Sequence, residues 1–137
     1  LFLELGKGAV DFASDSFKLV LLASGFVFNR DTHGDYGDVS ANEIANGNGY
    51  TTGGLALTVD SAWAQDDALD QASISWADLV LTATPSDMAT FCAAVVIDDT
   101  HSNKVIVGAI ELGEDKTVLS SQQFAFQNIG FDLKQGA

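Results

Sequence analysis

FCAAVVIDDTHSNKVIVGAIEL, residues 91–112, decides the class of fold. Phe91 to Ile97 is an apolar, β-branched run, and Lys104 to Leu112 is a second one. Between them Asp98 to Asn103 is wholly polar, so the stretch predicts a strand, a turn and a returning strand. Outward in both directions the pattern repeats. Phe17 to Leu22 (FKLVLL) is a short apolar run of the kind buried on both faces of a sheet. Gly25 to Phe28 continues or caps it. Leu55, Leu57, Val59 and Trp63 share one parity and predict a half-buried strand. In Leu69 to Ala83 the apolar parity changes near Ala77-Asp78, which predicts a bulge or turn, and Pro85 closes that run. Gly113 to Lys116 reads as a further turn, and Gln122 to Asn128 with Ile129 to Leu133 as the last strand or pair.

Seven or eight short strands separated by polar turns predict an all-β fold, an antiparallel β-sandwich with the jelly roll among its forms, and at most one or two short helices. The competing reading makes residues 1–10 and 62–72 helical. Residues 29–50 have no long apolar period and read as a long loop, with one helical turn at Ser40 to Ala45 (Ser40 as N-cap, Glu43 at N3 of a capping box). No composition break or repeat divides the chain, so residues 1–137 read as a single domain. Residues 1–10 read as its own first element or as an N-terminal arm packing on a neighbour. LFLEL is too short for a secretory apolar region and no basic stretch precedes it, so no signal peptide is expected.

With 137 residues the chain can build one core without staples; folding to about 6,800 Å² of surface would bury roughly two-thirds of what the unfolded chain exposes. The net charge is −13, which argues against gripping nucleic-acid phosphates. A one-signed surface suits a salty habitat or an outward-facing place in a crowded array; cation-binding acidic clusters are the lesser alternative. No apolar run is long enough for a membrane span. The single cysteine, Cys92, can form no internal disulfide and reads as a buried, inert thiol.

The densest candidate site is Asp31-Thr32-His33-Gly34-Asp35-Tyr36-Gly37-Asp38. Asp31, His33 and Asp35 match the first, third and fifth positions of a calcium loop. Tyr36 stands where that loop needs glycine, and Asn42 where it needs a bidentate glutamate, so a turn-rich polar loop is the favoured reading over a calcium site. Asp31 and Asp38 are expected to order it through Asx-turns. His33 and His101 are too few for zinc, and no metal or cofactor is expected. No nucleophile elbow or phosphate loop occurs, and Asp66-Asp67 and Asp98-Asp99 read as hydrated turns, so no catalytic residues are expected. Trp63, Trp76, Phe124, Phe126 and Phe131 read as core rather than as a sugar-binding face. Tyr36 and Tyr50 are the candidates for exposed contacts, with Tyr50 held as a rigid anchor by Gly49 and Gly53-Gly54, whose freedom at positive φ suits a tight turn.

VDFASDSFKLVLLAS, NRDTHGDYGDV and NEIANGNGYTTGGLAL together resemble a family of small virion proteins of tailed bacteriophages. The matching positions are Asp15, Ser16, Lys18 and Leu19; then Asp31, Thr32, His33, Tyr36 and Asp38; then Glu43, Ile44, Gly47, Gly49, Tyr50, Thr51, Gly53 and Gly54. More loosely, Trp76, AAVVIDDT and Ile110 to Gly113 match later strands, although Val96-Ile97-Asp98 lacks the family's aromatic and Glu111-Leu112 replaces Asp-Phe. The resemblance implies a non-enzymatic structural protein of the virion. The expected role is a capsid decoration or cement protein on the outer surface of the capsid. Its expected partners are the major capsid protein and itself, as a dimer or trimer, with no nucleic acid and no membrane. The residues expected at interfaces or in ordering the loop are Asp31, His33, Tyr36, Asp38, Tyr50, Gly53 and Gly54. A tail or neck component, or a carbohydrate-binding module, is the alternative.

Overall fold

The computed structural model describes residues 1–134, and at positions 2 and 3 the backbone alone. Nine strands and two short α-helices occur among the described residues: α1 Phe2–Gly6, β1 Phe17–Ala23, α2 Tyr36–Val39, β2 Leu55–Ala56, β3 Val59–Asp66, β4 Gln71–Trp76, β5 Leu79–Thr82, β6 Phe91–Asp98, β7 Ile106–Lys116, β8 Gln123–Phe126 and β9 Ile129–Lys134. The fold is all-β and antiparallel, as the alternating pattern predicts. One layer has the order β2-β1-β6-β7. The other joins β3-β4-β9 to β5-β8. The ladder from Trp76 opposite Ile129 resumes at Leu79 opposite Phe126, so β4–β5 and β8–β9 form one hairpin-like ribbon interrupted at Ala77-Asp78 and Gln127-Asn128. The parity change in the sequence is that interruption.

The main core lies between the layers. Phe17, Leu19, Leu21, Phe91, Ala94 and Val96 from the first layer meet Ile74, Trp76, Leu81, Phe126 and Ile129 from the second. The first layer is buried on its other face too. There Val20, Leu22, Val95, Ile97 and Ile106 pack beneath Phe26, Phe28, Tyr36 and Val39. This explains why β1 and β6 carry continuous apolar runs instead of an alternation. Leu1 and Leu5 pack on the main core.

Three local expectations are corrected, and the competing helical reading fails over 62–72 while it holds over Phe2–Gly6. Leu55 to Trp63 is two strands: the chain changes layer at Leu57-Thr58, and Leu57 N–H donates to Phe17 O (2.9 Å). Val59 is consequently exposed. Residues 62–72 form a hairpin instead of a helix. The strand after the Asp98 turn starts at Ile106 and runs through Gly113, whose φ of +75° bends it without ending it. The capping box belongs to Asp35 and Asp38 at the start of α2, five residues before the expected Ser40–Glu43 pair. Ser40–Asn42 is a single 3₁₀ turn.

Candidate functional site

The long loop is held by one carboxylate. Glu43 and Ile44 run beside β1 where β2 stops; Glu43 bridges Leu22, and Ile44 N–H donates to Leu21 O (3.2 Å). The Glu43 carboxylate accepts from Tyr36 Oη (2.5 Å), Tyr50 Oη (2.6 Å) and Gly53 N–H (2.7 Å). Tyr50 Oη in turn accepts from Leu21 N–H (3.1 Å), closing the edge of β1. The node joins three points of the loop to the sheet, with charge-assisted hydrogen bonds that are stronger than neutral ones. Its electrostatics follow. Tyr36 is pushed up to about 12, first by its bond to Glu43 and then by burial. Tyr50 is pushed further up, first by burial and then by Glu43.

Glycine is required beside the node. Gly54 has φ +96°, and a Cβ there would lie 2.8 Å from Leu19 O; at Gly49, φ +98°, it would lie 2.1 Å from Thr82 O. Gly53 has φ +92° but open space around it. The tight-turn expectation for these glycines therefore holds, and at Gly49 and Gly54 close backbone approach adds to it.

The other candidate residues take separate places. Asp38 accepts from Gly34 N–H (2.8 Å) and Asp35 N–H (3.2 Å), which hold its carboxyl below the usual range. Asp31 does not form the expected Asx-turn. Asn29 does so instead, accepting from Asp31 N–H (2.9 Å), and Asp31 points into solvent. His33 stacks on Phe26 with ring centroids 5.2 Å apart, and its Nδ1 accepts from Asn29 N–H (3.0 Å), placing the neutral ring's proton on Nε2. Tyr50 is 2% exposed and faces inward, correcting its reading as an exposed contact; it is an anchor, but for the loop. Trp76 and Phe126 are buried, and Trp63, Phe124 and Phe131 pack on the core, so these aromatics form no open platform.

Three further groups depart from expectation. Cys92 is half-buried instead of buried, its thiol donating to Ala23 O (3.2 Å). Asp98 and Asp99 do point apart, but Asp98 is not hydrated: it is fully buried, and its Oδ1 caps the turn by accepting from Thr100 and His101 N–H. Burial, then the neighbouring Asp15 carboxyl, raise its pKa. Asp99 pairs with Lys104 and with Lys18 (2.9 Å), which hold it below the usual range. Among the described residues no three His, Cys, Asp or Glu side chains gather as a metal site. Glu43 is the hydrogen-bonding hub that residue-type reasoning missed; its signal was its place between two tyrosines each seven residues away.

Compared with protein-family models, curated proteins and solved structures, the chain matches none.

Proposed function

We propose that the chain is a non-enzymatic structural protein of a tailed-phage virion, decorating the outside of the capsid and clamping neighbouring major capsid subunits. The observation that carries the reading is the Glu43 node. A loop of about twenty residues is fixed onto a double-faced sheet by internal hydrogen bonds, presenting a rigid outline with both tyrosine hydroxyls engaged on Glu43. Such a surface suits adhesion, where a preordered loop loses little entropy on docking. The motif resemblance supplies the setting, and the net charge of −13 suits an outward-facing position in a dense array. Many modest contacts, repeated over a shell, gain strength by avidity. Removal of the gene product from particles tests the reading: depleted particles should release DNA at a lower temperature, and added protein should restore resistance. Equal heat resistance with and without it rejects the cement role, and labelling at the tail or neck rejects the capsid position.

A further inference from the structure

β7 is an edge strand of its layer, and its backbone is only partly covered. Gly34 O accepts from Ile106 N–H (2.9 Å) at its start; beyond that point no strand pairs its outer edge among the described residues. Three open cavities of about 280, 580 and 260 Å³ lie in a row between this strand and the segment 25–34. The first two share Glu111, and the last two share Phe28 and Arg30, so together they form one trough. The trough exists because β7 carries Gly108, Ala109 and Gly113 along it, residues with almost no bulk beside Phe26 and Phe28. Its walls are tied in place by Ser24 Oγ to Asp115 (2.6 Å), Phe28 N–H to Glu111 (3.1 Å) and the Gly34–Ile106 bond.

The two ends differ in charge. Glu111, Glu114 and Asp115 line one end. At the other, Arg30 stands with His33 over Phe28, Ile106 and Val107. Arg30 is the chain's sole arginine, and in a protein with 19 carboxylates it forms no ion pair among the described residues. An edge strand with free N–H and C=O groups takes an extended polypeptide as an added strand. From Gly108 to Lys116 the edge spans about 30 Å, enough for six to eight residues.

We propose that this trough binds an extended peptide segment of a partner polypeptide, added antiparallel to β7, with a carboxylate at its C-terminal end on Arg30 and a basic residue at the acidic end. The assignment goes beyond the virion reading and holds whatever the setting, because it uses only the free edge, the trough and its charge polarity.

The probe is the acetylated hexapeptide Arg-Val-Thr-Val-Thr-Leu with a free C-terminal carboxylate, titrated into the full chain while backbone amide shifts are followed by NMR. The free acid should bind with a Kd of at most ~1 mM and shift the Gly108 and Ala109 amides, and its C-terminal amide should bind about tenfold more weakly. Arg30→Gln, at an exposed position, should remove that acid–amide difference. Ala109→Trp, which fills the trough from an exposed site, should abolish binding with an unchanged melting temperature. Failure of the free acid to bind at ~5 mM overturns the proposal. So does equal binding of acid and amide, a difference that survives Arg30→Gln, or binding unaffected by Ala109→Trp.

Discussion

Glu43 converts a loop of weak local preference into a fixed surface, because three donors from separate points of the chain converge on one carboxylate. Glu43→Ala leaves the Tyr50 hydroxyl and the Gly53 N–H without their acceptor, and should cost about 2–3 kcal/mol in chemical denaturation. Both tyrosines should titrate late. The absorbance of tyrosinate should stay flat through pH 10 and rise only toward about 12, where Tyr36 ionises. Because folding raises these values, the stability they contribute is full below pH 10 and is lost between there and about 12. Asp98, in the turn whose Lys104 O accepts from Tyr36 N–H, follows the same sign in a lower pH window. The buried Asp98 carboxyl, raised by folding, favours the fold only while protonated, so its contribution fades as pH climbs from roughly 4 through its folded value. Asp98→Asn keeps an acceptor for Thr100 and His101 and carries no charge. It should flatten that part of the pH–stability profile, seen as a melting temperature that varies less with pH than that of the unsubstituted chain. A profile unchanged by the substitution would remove Asp98 from the account.

At the scale of elements, the short helix α2 exists because Asp35 and Asp38 cap each other's backbone. Val39, on that helix, is fully buried against the outer face of the first layer. Asp35→Ala should cost about 1 kcal/mol and raise amide exchange across residues 36–42. The glycines beside the node give a paired prediction. Gly53→Ala meets only the strain of positive φ, about 1–2 kcal/mol, whereas Gly54→Ala also collides with Leu19 O and should be measurably worse in the same denaturant series. The strands themselves were legible in the sequence wherever burial imposes a simple pattern. Phe91–Asp98 and Phe17–Ala23 are continuous apolar runs because both faces are covered, and the change of parity at Ala77-Asp78 marks a real interruption. The break after Leu57 was not legible, since the same parity continues while the chain changes layer. Nor was the true helix start: Ser40-x-x-Glu43 and Asp35-x-x-Asp38 both satisfy a capping pattern, and only the tertiary demand on Glu43 from Tyr36, Tyr50 and Gly53 decides between them. The candidate loop was legible as an ordered polar feature, but the division of labour inside it was not, because Asn29 and Asp31 are equally able to form an Asx-turn.

As a whole molecule, the protein exposes 7588 Å², about a tenth more than its mass predicts. Part of the excess lies in the hairpin β3–β4, where β3 is exposed almost throughout and Leu69, at the turn, is 62% exposed. The charge has a consequence at this scale as well. Copies at −13 repel one another at low salt, so any self-association should strengthen as salt shortens the screening length from ~10 Å at 0.1 M, a trend that sedimentation can follow. The central claim is that the chain is a stoichiometric, externally bound part of a shell, transforming nothing. The most direct measurement is its copy number relative to the major capsid subunit in purified particles, taken with its position in a symmetry-resolved density map. The account predicts a fixed simple ratio and density on the outer capsid face; absence from particles, or a few copies confined to the tail, would contradict it.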